Sequence, residues 1–212
     1  MKSATESQIV THPTVKLVLL GESGVGKTSI VNRYCHKKFS GDSQLPTIGV
    51  DHKVIDLQAK DMVLKVMIWD TSGQERFDSL SKTYYQNANG ILLVFSLADK
   101  DSFSRVSKWI ERIKNEAPEH VSVILVGNKS DDVDNRSVDF QEARAKAKSL
   151  GIPYLEVSAR DGTGISQAFV ELGNLMSEHL SDYKQENSIR ISKNPSVASE
   201  AHHPPTSKGC SC

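Results

Sequence analysis

The sequence predicts one α/β domain, an open and mostly parallel sheet of six strands flanked by five helices. Three observations predict it. Short β-branched runs alternate with helical stretches from residue 15 to residue 183. Two of those runs, 91–97 and 121–126, are apolar at nearly every position, the pattern of strands covered on both faces. A chain of 212 residues with 38% apolar and 25% charged content is one domain of ordinary size. It buries a core without disulfide or metal staples.

The strands are read over residues 15–20, 50–57, 63–69, 91–97, 121–126 and 152–157. The 50–57 run alternates best and suits a sheet edge. Four helices can be bounded. Residues 27–38 follow a glycine-rich turn. Residues 101–116 start behind an Asp/Ser cap and stop before Pro118. Residues 138–150 end at Gly151. Residues 164–183 carry Ile165, Ala168, Phe169, Leu172, Leu175, Met176 and Leu180 at helical spacing, a stripe that reads as core packing. Residues 1–14 read as a flexible arm, and 184–212 as a disordered tail rich in Ser, Asn, Pro and His.

Composition excludes several classes. Lys plus Arg is 26 and Asp plus Glu is 26, so no basic surplus supports nucleic-acid binding by phosphate neutralisation. The longest apolar run, 91–95, is far short of the ~20 residues that span a bilayer. The N-terminus is polar and lacks the apolar core of a secretory signal. Cys35, Cys210 and Cys212 make neither a disulfide framework nor a zinc spacing, which implies a thiol-preserving compartment, most simply the cytosol.

Four segments carry chemistry, and each follows a strand. Gly21-Glu22-Ser23-Gly24-Val25-Gly26-Lys27-Thr28 fits a phosphate-binding loop. Its glycines let backbone N–H groups converge on phosphate oxygens, and the following helix adds its positive end. Lys27 would hold β- and γ-phosphates, and the Thr28 hydroxyl would reach Mg²⁺. The loop alone does not separate ATP from GTP. Asp70, at the end of the 63–69 strand, is placed to hold Mg²⁺ through water. Gly73 can offer its N–H to a γ-phosphate, and Gln74 can orient a water for in-line attack. In Asn128-Lys129-Ser130-Asp131, a carboxylate accepts from guanine N1–H and the 2-amino group, donors that adenine lacks. The stem of Lys129 can cover the base. Ser158-Ala159-Arg160 offers the Ala159 N–H to the guanine oxygen. In an open parallel sheet all four segments meet at one crevice.

With these motifs the chain resembles a small GTPase of the Ras superfamily, and specifically a Rab, from residue 15 to 183 and at its last three residues. The Rab-like features are Thr47-Ile48-Gly49-Val50-Asp51, Trp69-Asp70-Thr71, Gly73-Gln74-Glu75-Arg76-Phe77, Tyr84-Tyr85 and Ser23. The resemblance implies the small G-protein fold of the phosphate-loop NTPases. It implies a nucleotide site of Ser23, Gly24, Val25, Gly26, Lys27, Thr28, Ser29, Phe39, Thr47, Gly73, Asn128, Lys129, Asp131, Ser158, Ala159 and Arg160. Mg²⁺ would be held by Thr28, Thr47 and Asp70, and the catalytic group would be Gln74, Lys27 and Thr47. Phe39 would pack against the guanine. His52 stands where an aromatic is usual beside Trp69 and Tyr84, Ser72 where Ala is usual, and Arg160 where Lys is usual.

Cys210-Ser211-Cys212 is not a C-a-a-X box, since Gly209 is fourth from the end. It resembles the Rab ending in which both cysteines are geranylgeranylated. From Ser181 the tail has four Lys/Arg and three Asp/Glu, too balanced for a polybasic anchor, so a second lipid suits it.

The resulting expectation is a GDP/GTP switch of vesicle traffic on the cytoplasmic face of an intracellular membrane, with a cytosolic pool. Its partners would be effectors, an exchange factor, an activating protein, prenylation escort and GDP-dissociation-inhibitor proteins, and the membrane. It would be a monomer with no nucleic-acid partner. Intrinsic turnover would be slow, because no arginine finger is identifiable in cis. Two rivals stand beside it. A metabolic phosphate-loop kinase would need an Arg-rich lid, which is not found. A nucleotide-bound scaffold would show no stimulated hydrolysis.

Overall fold

A computed structural model describes residues 12–39, 41, 50–60, 62–71 and 84–193, with side chains left out at residue 50 and over 181–193. Thr47, Gly73, Gln74, Cys210 and Cys212 lie outside the described residues, as do Ser72, the arm before residue 12 and the tail beyond residue 193.

Six strands form one sheet: β1 (Thr14–Leu20), β2 (Val50–Ala59), β3 (Met62–Thr71), β4 (Gly90–Ser96), β5 (Ser122–Asn128) and β6 (Tyr154–Glu156). Their order is β2-β3-β1-β4-β5-β6. All neighbours are parallel except β2 and β3, which pair antiparallel with His52 opposite Trp69 and Asp51 opposite Asp70. The alternating run is therefore the edge strand, and the fully apolar β4 is central and buried throughout. β6 is shorter than the 152–157 run, because it pairs with only three residues of β5.

Among the described residues the helices are α1 (Lys27–His36), α2 (Lys100–Ser104), α3 (Val106–Glu116), α4 (Phe140–Leu150) and α5 (Ile165–Lys193). The single helix read over 101–116 is two. Asp99 caps α2 by accepting from the N–H groups of Asp101 and Ser102, as Asx caps do. The Ser104 hydroxyl then donates to Asp101 O (2.7 Å), the same carbonyl that accepts from Arg105 N–H. That competition accompanies a break at Arg105, whose backbone sits at φ −81, ψ −6. α4 is capped by Asp139 and stopped by Gly151 at φ 71, as its sequence signals require.

Helices cover both faces. Val18 and Leu20 of β1, Ile91, Leu93 and Phe95 of β4, and Leu125 of β5 share one core with Phe103, Val106, Trp109, Ile110 and Ile113, and with Ala143 and Ala147 of α4. The alternate residues face α5. A Cβ on Gly90 would lie 2.6 Å from Met176 Sδ. Gly173 admits Leu57, whose Cδ2 a Cβ would meet at 2.7 Å. Tyr34 of α1 stacks on Phe169 with ring centroids 3.9 Å apart. The stripe on residues 165–176 is therefore core, and burying each large apolar side chain contributes roughly 1.5–3 kcal/mol.

The chain divides into two units, Met1–Glu178 and His179–Cys212. The sheet lies in the first. The second holds residues 179–193 of α5, so helix continues past residue 183, where a tail was expected to start. No described helix is long and apolar enough to cross a membrane.

Candidate functional site

The crevice lies beyond the C-terminal ends of β1, β3 and β5 and the loop after β6. Its floor is the loop from β1 to α1. Gly21, Gly24 and Gly26 have φ of +134, +78 and +97, conformations that glycine alone adopts cheaply. Gly21 is also pressed on β4, since a Cβ would lie 2.0 Å from Val94 O. Val25 is buried and anchors the loop. α1 begins at Lys27, so the positive end of the helix lies at the end of the loop. Lys27, itself buried, donates from Nζ to Gly21 O (2.7 Å) and Glu22 O (2.8 Å). An ammonium held across the loop mouth is positioned for anionic oxygens. Ser23 and Gly24 are exposed at the loop's crown, and Ser29 lies in the first turn of α1.

Asp70 is 2% exposed. Burial pushes its carboxyl above the usual carboxylate range, opposed by a hydrogen bond to Thr28 and the charge of Lys27. Its Oδ1 has no hydrogen-bond partner. A buried carboxylate with an orphaned oxygen beside a threonine hydroxyl fits a small hard cation. No cluster of three or more His, Cys, Asp or Glu occurs among the described residues. A one-carboxylate site suits Mg²⁺, which keeps waters and takes further ligands from phosphates.

The base-side loops are joined by Asn128. Its Nδ2 donates to Val25 O (2.8 Å) and its Oδ1 accepts from Ala159 N–H (3.1 Å). One amide thus ties the phosphate loop, β5 and the loop after β6 together. The sequence reading gave the Ala159 N–H to guanine; in the structure it donates to Asn128. Asp131 accepts from the Ser158 hydroxyl at Oδ1 (2.6 Å) and pairs with Arg160 at Oδ2 (3.0 Å). Lys129 has φ 69, a left-handed turn that follows the strand end directly. Phe39 is half-buried after α1.

Sequence reasoning missed three supports. Arg33 of α1 donates from Nε to Ala159 O (2.8 Å) and from its guanidinium to Arg160 O, fixing the base-side loop from below. Glu22 accepts from Arg105 (2.7 Å) and from Trp109 Nε1 (2.9 Å). Lys16, in an otherwise apolar strand, is 7% exposed, donates to Gln86 O (2.9 Å) and lies 3.7 Å from the Trp69 ring centroid. Burial lowers its pKa. The only sequence signal for Lys16 was a charge inside a buried run. From β2, His52 meets the same Trp69 edge-on with ring centroids 4.3 Å apart, while Tyr84 packs half-buried against the core.

A glycine-rich loop between β1 and α1, the buried carboxyl of Asp70 beside Thr28, and Asp131 against Ser158 and Arg160 are the features of a nucleotide-binding protein of the phosphate-loop class. The model of the Ras family matches residues 16–178. The chain is 42% identical over 165 residues to the GTP-binding protein ypt1 of Schizosaccharomyces pombe, covering 78% of this chain and 81% of that one. It is 42% identical over 169 residues to Ras-related protein Rab-1A of Dictyostelium discoideum (80% and 83% covered). It is 38% identical over 175 residues to Ras-related protein RABD2a of Arabidopsis thaliana (82% and 86%). The chain belongs to the Ras family and is a small GTPase of the Rab type. It binds GTP and GDP with Mg²⁺, hydrolyses GTP, and works as a switch in vesicle traffic at intracellular membranes. It does so through effectors, exchange factors and activating proteins.

Proposed function

We propose the following division of labour for that switch. Backbone N–H groups of residues 23–28 and the Lys27 ammonium cradle the phosphates. Thr28, Thr47 and Asp70 would hold Mg²⁺, which would supply positive charge against the phosphate oxygens. Asp131 reads guanine and Lys129 covers it. Asn128 sets the distance between phosphate and base subsites. Thr47 and Gly73 meet the γ-phosphate and order their loops in the GTP state, and hydrolysis releases them. Gln74 orients the attacking water. The observation that carries this reading is the Asn128 amide, which bonds to both the phosphate loop and the base-side loop.

The nucleotide-binding domain spans about residues 15–183, preceded by an arm and followed by a segment that begins as a continuation of α5. Cys210 and Cys212 carry prenyl groups, recognised by escort and dissociation-inhibitor proteins, which give a membrane-bound form on the cytoplasmic face and a cytosolic pool. The first test elutes bound nucleotide and titrates GDP against ADP with Mg²⁺. Tight guanine-specific binding is expected; equal binding of ADP refutes the role of Asp131. Gln74→Leu should slow single-turnover GTP hydrolysis at least roughly tenfold while leaving GTP affinity intact. Equal rates for variant and wild type refute the role of Gln74.

A further inference from the structure

A carboxylate inside a phosphate loop is an electrostatic liability. Glu22 follows the first glycine of the loop, and its backbone carbonyl already engages Lys27. Its side chain is only 14% exposed, yet it accepts two hydrogen bonds from outside the loop. Arg105 Nη1 donates to Oε2 (2.7 Å) and Trp109 Nε1 to Oε1 (2.9 Å). Both donors come from one place, the α2–α3 break and the first turn of α3. Trp109 N–H donates to Arg105 O (3.1 Å), so the two side chains, four residues apart, share one face at the start of α3. Trp109 is fixed in turn, being 9% exposed within the core, with Arg112 over its ring at 5.5 Å.

We propose that Arg105 and Trp109 are positioning residues that clamp Glu22. They hold the phosphate loop open in the shape its anion requires and neutralise the carboxylate that would otherwise repel the nucleotide's phosphates. The lifetime of bound nucleotide is therefore set partly from α3, on the far side of the loop from the residues that touch nucleotide. The chemistry is general: hydrogen bonds to a charged acceptor are among the stronger ones, and an unpaired charge near a polyphosphate acts over a Debye length unless screened.

This inference rests on the placement of phosphates at residues 21–28 proposed above, and the test separates the two. Release of a fluorescent GDP analogue is measured on the full chain with Mg²⁺, at low and high salt. The proteins are wild type, Arg105→Ala, Trp109→Phe, Glu22→Gln, Lys27→Ala and the double variant Arg105→Ala/Glu22→Gln. Arg105→Ala should speed release on the order of tenfold at low salt, and less at high salt. In the Glu22→Gln background the same change should do almost nothing, because no carboxylate is left to neutralise. Trp109→Phe keeps an aromatic ring but loses the N–H donor and part of the packed indole, and should speed release less. An unchanged release rate for both Arg105→Ala and Trp109→Phe, or the same factor for Arg105→Ala with and without Glu22, overturns the clamp. A GDP lifetime indifferent to Lys27→Ala overturns the placement of the phosphates, and the clamp with it.

Discussion

Asp70 shows how one side chain is kept at a cost to the fold. Burial holds its carboxyl above the ordinary range, so the folded, metal-free protein binds that proton more tightly than the unfolded chain does. Its contribution to stability is complete at pH below the unfolded carboxylate range and is lost as pH rises through the folded value. Mg²⁺ bound there, as proposed, would remove the penalty by supplying a partner for Oδ1. Asp70→Asn should therefore raise the melting temperature in a chelator at neutral pH by roughly 2–4 °C, the response of a chain this size to about 1 kcal/mol. It should also flatten the fall in stability with rising pH and weaken the Mg²⁺ dependence of GDP retention. Differential scanning fluorimetry across pH, with and without Mg²⁺, checks all three. Asp70, Thr28 and Lys27 were legible in the sequence because each sits at a fixed offset from a glycine or a strand end. Arg33, Lys16 and the Glu22 partners were not, because nothing local marks a contact made across 70 to 126 residues of chain.

The loop between β1 and α1 separates two demands on glycine. Gly24 has φ +78 with nothing within 4 Å of a would-be Cβ, whereas Gly26 has φ +97 and a Cβ there would lie 2.3 Å from Asn128 Nδ2. Gly24→Ala should cost only the left-handed conformation, roughly 1–2 kcal/mol of stability. Gly26→Ala should cost that and also displace the Asn128 amide, breaking the link to Val25 and Ala159. GDP affinity should then fall at least about tenfold more for Gly26→Ala than for Gly24→Ala, measured by isothermal titration beside chemical denaturation. At this scale the strand and helix periods were legible, and the edge strand was recognisable by its alternation. The split of residues 101–116 was not, since Ser104 and Arg105 share the Asp101 carbonyl only once the chain is folded locally.

At the scale of the whole chain, the proposed lipid attachment at Cys210 and Cys212 would be separable from the nucleotide switch. Two prenyl chains would bury roughly 0.8 kcal/mol per CH₂, ample for stable attachment where one chain is marginal. Cys210→Ser/Cys212→Ser, expressed in cells with prenylating activity, should move the chain from the detergent phase to the aqueous phase and leave GDP affinity unchanged. Detergent partition of both forms decides it, and an unmoved double variant refutes the lipid anchor. The sequence by itself determined the alternation of strands and helices, the glycine-bounded loop, the residue types at each strand end and the family. Those are local patterns, fixed by backbone periodicity and by the chemistry of single side chains. Only the tertiary structure decided which donors complete them: Asn128 between two loops, Arg33 beneath the base side, Lys16 over Trp69, and α3 gripping Glu22. Such contacts depend on strand order and helix placement, and they stabilise a geometry that no single segment carries.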